Sequence, residues 1–147
     1  MDAVKTLKTI FITVLGVITS WLGALAIPVY LLVACNVIDY VTGILAAHRR
    51  SQKISSYTGI NGIAKKICMW LLIGVGGVID CLLSYAGGSI GADIQLTMGA
   101  ATLTAIWLLV NEIISILENL GDIGTPLPGF LVSIVNSLQS KLDGTLK

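Results

Sequence analysis

The chain has 147 residues, of which 55% are hydrophobic and 12% are charged, and its mean hydropathy is +0.91. This composition excludes an ordinary water-soluble domain, and at roughly 20 residues per spanning helix the length predicts a single membrane domain of four spans over residues 1–147. The net charge of +1 gives no indication of nucleic-acid binding.

The basic residues are distributed asymmetrically along the chain. They occur before the first apolar segment, in one central loop and near the end: Lys5, Lys8, Arg49, Arg50, Lys53, Lys65, Lys66, Lys141 and Lys147. A four-span arrangement puts all of them on one side of the membrane. Because Lys and Arg near span ends stay in the cytoplasm, we predict an all-α integral membrane protein with both termini in the cytoplasm. Arg49, Arg50, Lys53, Lys65 and Lys66 are then interfacial basic residues.

Residues 9–27 and 29–47 are apolar and are predicted as the first two spans. Gly23 and Pro28 lie around the short uncharged connection between them, and a proline at the first helical position is well tolerated. We therefore expect these two spans to form a tight helical hairpin.

The second predicted span carries a small, polar face. Asn36, Asp39 and Gly43 are spaced by three and four residues, which places them on the same side of a helix. A carboxylate within a membrane costs at least about 2.5 kcal/mol on insertion scales. This face is therefore expected to contact protein or water and not lipid.

The third predicted span, residues 65–85, follows a polar loop. Lys65 and Lys66 are expected to mark the membrane surface at its start. Gly76, Asp80 and Ser84 recur at four-residue spacing, so this span also has a small face that contains one acid. Small residues on such a face allow close approach of another helix.

The fourth predicted span, residues 95–118, becomes more polar toward its cytoplasmic end. The polar positions lie on or beside one stripe: Asn111, Glu112, Ser115, Glu118 and Asn119. Glycines and prolines after it end the helix. Residues 129–142 then form an amphipathic helix that is too polar to span, and it is expected on the membrane surface or on a partner subunit.

The sequence contains no arrangement typical of an enzyme or of a cofactor site. His48, the single histidine, lies beside two arginines, and the cysteines at positions 35, 68 and 81 lack the spacing of a metal site. The glycines do not form a phosphate-binding motif. We predict that the chain is not an enzyme and needs no cofactor or metal.

The acids in the predicted spans allow two interpretations. In the structural one, Asp39, Asp80 and Glu112 are protonated, hydrogen-bonded or paired with a basic residue at the interface. In the functional one, they come together between subunits and line an aqueous opening after a rearrangement. Four thin spans cannot cover all the polar stripes within one molecule, so we predict a homo-oligomer in the lipid bilayer.

Three groups of residues resemble one family. These are Asp39-x-x-Thr42-Gly43, then Ser55-Ser56-x-x-Gly59 leading to Lys65-Lys66, and Asn111-Glu112-x-x-Ser115-Ile116-x-Glu118-Asn119 followed by Gly124-x-Pro126. Together they resemble the bacteriophage holins of the toxin-secretion and phage-lysis type. The similarity extends from about residue 29 to residue 128, and the last group is the most specific.

The resemblance implies a small, multi-pass protein of the bacterial cytoplasmic membrane that oligomerises and opens large, non-selective holes. An endolysin or an exported toxin would pass through them. The alternatives are a small membrane scaffold, and an ion channel or transporter subunit, neither of which forms large holes. Leakage of folded protein distinguishes the holin from both.

Overall fold

The computed structural model describes residues 2–50, 56–91 and 99–145, and over these residues it contains helices and no strand. The helices, in chain order, are α1 (Asp2–Leu22), α2 (Ala26–Arg49), α3 (Ser56–Ser89), α4 (Gly99–Ile123) and α5 (Gly129–Thr145). A short 3-10 turn, Gly23–Leu25, joins α1 to α2. The prediction of an all-α chain is confirmed.

Three stretches of the described chain are helical, long and apolar enough to cross a membrane. They cover residues 3–49, 62–89 and 99–123. The first stretch has 47 residues, which at 1.5 Å per residue is about 70 Å of helix, roughly twice the thickness of a bilayer core. It therefore contains enough helix for two crossings, divided at the 3-10 turn.

Helix α4 is at the centre of the bundle. It packs against α2 on one side and against α3 on another, and α5 also contacts it. The buried apolar cluster comes from the 3-10 turn, α2, α3 and α4: Leu25, Leu32, Ile73, Ala101, Ala105 and Leu108. Because two of the α4 residues are alanines, the neighbouring helices approach its backbone closely.

Helix α1 leaves this bundle, and the predicted hairpin with α2 is wrong. From residue 3 to residue 21 its described side chains are exposed, with the exception of the half-buried Leu15. Contact with α2 is confined to the joint, where the Thr19 and Tyr30 hydroxyls lie 2.8 Å apart. The physical reason is that Gly23–Leu25 remains helical, so the connection bends the path of the chain and does not reverse it. Gly23 has a φ of 53°, a left-handed conformation that favours glycine.

Helix α3 begins earlier than the sequence pattern indicated. It starts at Ser56 and not near residue 65, so Lys65 and Lys66 lie about three turns inside the helix. The stretch that is apolar enough to cross a membrane begins at Gly62, so the expectation that this pair marks the membrane surface stays a prediction. The two lysines occupy adjacent positions on a continuous helix, and they point in different directions.

Helix α5 packs on α4 of its own chain. It runs antiparallel to α4, and the indole Nε1 of Trp107 donates a hydrogen bond of 3.0 Å to Asp143 Oδ1 near the end of α5. Val135 is buried, whereas Phe130 and Ile134 are exposed. The amphipathic helix thus covers part of α4 and leaves a second apolar face uncovered.

Helices α3 and α4 approach each other closely at Gly76. A Cβ atom built on Gly76 would lie 2.8 Å from Ala101 Cα, whereas one on Gly77 meets nothing within 4 Å. We expect Gly76→Val to lower the free energy of unfolding by about 1–3 kcal/mol, because the helix backbones must separate. The matched control is Gly77→Val, and both are measured by denaturant titration in detergent micelles. Equal effects of the two substitutions would contradict the packing at Gly76.

Candidate functional site

Polar side chains from α2, α3 and α4 meet inside the bundle. We call them the polar cluster: Asn36, Asp39, Thr42, Lys66, Glu112 and Asn119. Lys66 lies at its centre. Its Nζ donates hydrogen bonds to Asn36 Oδ1 at 3.0 Å, to Asp39 Oδ2 at 3.0 Å and to Glu112 Oε2 at 2.5 Å. One ammonium group therefore holds side chains from the other two helices, and its three protons are all used.

Asn119 connects the lower part of α4 to α2. Its Nδ2 donates to Asp39 Oδ1 at 3.1 Å and lies 3.3 Å from the Thr42 hydroxyl oxygen. The Thr42 hydroxyl donates to the backbone carbonyl of Ile38 at 2.9 Å, which is the usual local bond of a threonine within a helix. Both oxygens of the Asp39 carboxylate thus have a hydrogen-bond partner.

The charges of the polar cluster are poorly accessible to solvent. The exposed fractions are 22% for the Lys66 side chain, 16% for Asp39 and 7% for Glu112. A single lysine lies between two carboxylates, so the ammonium group neutralises one of two negative charges when both acids are ionised. Each carboxylate alone would be strongly unfavourable in this environment. Loss of the lysine would therefore weaken the association of α2, α3 and α4 by leaving poorly solvated carboxylates without a cation.

The heptad spacing of α3 explains why Lys66 reaches the cluster. Lys66, Met69, Ile73, Gly76 and Asp80 are separated alternately by three and four residues, which keeps them on the face turned toward α4. Lys65, one position earlier, is exposed. The sequence analysis placed both lysines at the membrane interface, although this spacing already puts Lys66, and not Lys65, on the face of α3 that packs against α4.

Asp80 lies outside the polar cluster and caps α4. Its Oδ1 accepts the Ala100 backbone N–H at 2.7 Å, and its Oδ2 accepts the Ala101 N–H at 2.9 Å. The side chain is buried. The first N–H groups of a helix have no partner within that helix, and a carboxylate at this end is also favoured by the helix dipole. The structural interpretation expected a hydrogen-bonded acid, but it did not predict backbone N–H groups as the partners of Asp80.

The remaining predicted polar positions differ in how close they are to the cluster. Gly43 faces Asn119, whose Nδ2 would lie 3.6 Å from a Cβ atom on the glycine. Asn111 and Ser115 are half-buried. Ser84 and Glu118 are exposed, and the structure does not bring them into the cluster; Ser84 lies one turn beyond Asp80 on α3.

The predicted interfacial arginines connect the end of α2 to the end of α4. Arg49 Nε donates to the backbone carbonyl of Ile123 at 3.3 Å, and Arg50 forms an exposed ion pair with Asp122. These contacts lie at the same end of the bundle as Asn119. Lys53 is outside the described residues. Within the described ranges, no group of three or more His, Cys, Asp or Glu side chains is placed to hold a metal ion.

Comparison with known proteins identifies the family of this chain. A sequence profile of the bacteriophage holin family matches residues 16–140, a range that contains the whole polar cluster. The chain belongs to the bacteriophage holin family. The resemblance noted in the sequence is thereby confirmed, and since the family is not enzymatic, so is the prediction that the chain is not an enzyme.

Several relatives match this holin-family chain over most of their length. An uncharacterised protein of Halalkalibacterium halodurans is 34% identical over 132 residues, covering 87% of this chain and 93% of the relative. One of Clostridium perfringens is 31% identical over 128 residues, covering 86% and 87%. A probable holin of Bacillus phage phi105 is 26% identical over 113 residues, covering 77% and 75%. No solved structure matches.

Family membership and the apolar helices together give the location. The chain is a multi-pass protein of the bacterial cytoplasmic membrane. The polar cluster is accordingly a set of charged and amide side chains inside membrane helices. Ionisable groups at such positions are rare in membrane proteins and are usually associated with function.

Proposed function

We propose that this holin-family chain oligomerises in the cytoplasmic membrane and opens large, non-selective holes, through which an endolysin or a large toxin leaves the cytoplasm. The observation that carries the proposal is the family match over residues 16–140. The probable holin of a Bacillus phage among the relatives supports it. The release occurs without any chemical reaction by the chain itself.

The topology that we propose has four spans and cytoplasmic termini, with α1 and α2 crossing separately. Helix α1 supports this because it has no charged residue after Lys8 and its apolar side chains are exposed on all sides, as suits a lipid environment. Lys5 and Lys8 lie in the first two turns of α1, and Arg49 and Arg50 lie at the end of α2. These basic residues lie on the same side of the membrane when α1 folds back at the 3-10 turn, a reversal that we propose for the chain in a bilayer, whereas the described chain only bends there.

Exposed polar groups support oligomerisation. Ser84 on α3 and Glu118 on α4 face outward from the single chain. Polar side chains at membrane depth require a protein or water partner, and a second copy supplies one. Interhelical polar contacts in membranes average only about 0.6 kcal/mol, so such an assembly can exchange partners and grow.

We propose that the polar cluster holds the closed state together. If α2, α3 and α4 separate, Lys66, Asp39 and Glu112 lose their partners and must be hydrated. The state that replaces the closed one is therefore water-filled around these residues. Any of these charges that moves through the membrane field contributes about 2.3 kcal/mol per 100 mV, so depolarisation shifts the balance between the two states.

The proposal is tested by inducing the chain in bacteria that also produce a muralytic enzyme without an export signal. We expect an abrupt loss of culture turbidity and the appearance of an enzyme-sized cytoplasmic reporter in the medium. Cells that produce the chain alone should lose viability and remain rod-shaped. Cells that produce the muralytic enzyme alone should continue to grow.

The same cultures distinguish the alternatives. An ion channel would collapse the membrane potential, seen with a voltage-sensitive dye, while the muralytic enzyme stays inside and turbidity is unchanged. A scaffold would change neither signal. Either outcome, at a level of chain verified by immunoblot of the membrane fraction, would contradict the proposal.

A further inference from the structure

An open groove of about 1210 Å³ runs between α3 and α4 on the outside of the bundle. Its middle is apolar, with Met69 and Leu72 on the α3 side and Trp107 and Leu108 on the α4 side. Lys65 lies at one end of the groove. Lys65 and Leu72 are seven residues apart on the same helix face, about 10 Å along the axis.

Lys65 is the charged group available to a molecule in this groove. It is exposed and makes no ion pair with any residue that the structure describes, whereas the neighbouring Lys66 is engaged in the polar cluster. Glu112 also lines the groove, but its carboxylate is buried and paired with Lys66 at 2.5 Å. The groove thus has a free cation at one end and an apolar channel beyond it.

We propose that this groove binds an anionic phospholipid, with its phosphate group at Lys65 and an acyl chain along Met69, Leu72 and Trp107. A phospholipid matches both parts of the site, because its charge and its hydrocarbon chain are adjacent in one molecule. The lysine stem can lie along the apolar wall while the ammonium group reaches the headgroup region. A helix from a second copy would have to place an exposed acid such as Glu118 at Lys65, whereas a phospholipid brings its charge and its hydrocarbon chain together. We therefore assign the groove to the lipid, and the second copy is the other occupant that the test separates.

This inference goes beyond the proposed function. It requires only that the chain lies in the membrane, and it does not depend on whether holes form. Lipid binding and hole formation can therefore fail independently, and the experiment below involves no measurement of lysis or leakage.

The test uses the fluorescence of Trp107 as a contact probe. The other two tryptophans are replaced by Trp21→Phe and Trp70→Phe, and the full-length chain is reconstituted in phosphatidylcholine vesicles. Brominated phosphatidylglycerol or brominated phosphatidylcholine is then added at increasing mole fractions. Bromine quenches a tryptophan only on contact, so the ratio of the two quenching curves reports the preference for the anionic headgroup at this groove.

We expect about a fivefold preference for phosphatidylglycerol, the effect of one basic residue near an anionic surface. Lys65→Gln should abolish this preference, whereas Lys65→Arg should retain it and thereby show that the groove is still folded. Lys8→Gln, which removes a lysine from the distant helix α1, is the matched control and should change nothing.

Three results would overturn the inference. One is equal quenching by the two brominated lipids in the parent chain. Another is the same loss of preference in Lys8→Gln as in Lys65→Gln, which would indicate a general surface charge effect. The third is an absence of quenching by either lipid, which would show that protein, such as a second copy, covers the groove.

Discussion

Replacing Lys66 with methionine is expected to lower the free energy of unfolding by about 3–5 kcal/mol, the usual effect of removing one partner from a buried ion pair. Methionine fills a similar volume, but it leaves Asp39 and Glu112 facing each other without a cation. We expect the folded chain to accumulate poorly in membranes and to unfold at lower denaturant concentration in micelles. The matched control is Lys65→Met on the adjacent, exposed position, for which the change should be below about 1 kcal/mol.

A polar cluster without charged side chains should recover most of the lost free energy of unfolding. When Lys66→Met is combined with Asp39→Asn and Glu112→Gln, no unpaired charge remains, and uncharged replacements of buried ion pairs are often as stable as the original. This triple variant also tests the role of the charges in opening. If its time of lysis, at matched amounts of protein, equals that of the parent chain, the charges of the polar cluster take no part in opening.

Substitution of Asp80 by alanine has the second largest expected effect, a loss of about 2–4 kcal/mol. The reason is that the N–H groups of the half-buried Ala100 and the buried Ala101 are left without acceptors, at about 1–3 kcal/mol for a buried group. Asp80→Asn keeps one acceptor oxygen and should lose about half as much. Hydrogen exchange at the first amides of α4 should accelerate in the same order as the loss of stability.

Ser84→Ala is the matched control for Asp80. It changes a polar residue one turn further along α3 that is exposed in the single chain. We expect near-normal stability and unchanged exchange at the start of α4. An equally small effect of Asp80→Ala would mean that the cap does not stabilise the helix, and an equally large effect of Ser84→Ala would mean that this entire face of α3 is in contact with another subunit.

Much of the architecture could be predicted because it depends on patterns within single segments. Apolar runs and helix-ending glycines and prolines identified the helices, and their approximate ranges agree for α2, α4 and α5. Spacings of three and four residues placed Asn36 and Asp39 on one face of α2, and both side chains bind Lys66 of α3 in the structure. Helical periodicity is a property of the chain itself, so the residues that share a helix face can be predicted without knowing which helix packs against that face.

The partners of those faces were decided by the tertiary structure. Periodicity shows that Lys66 and Asp80 share a face of α3, but it does not show that one meets two carboxylates and the other meets the first turn of α4. Backbone N–H groups are the same at every position, so no sequence pattern indicates which side chain accepts their hydrogen bonds. The path of α1 could not be predicted for a related reason. The sequence pattern predicted a reversal of the chain, whereas the three residues of 3-10 helix that begin at Gly23 produce a bend. That difference depends on backbone angles and not on residue type.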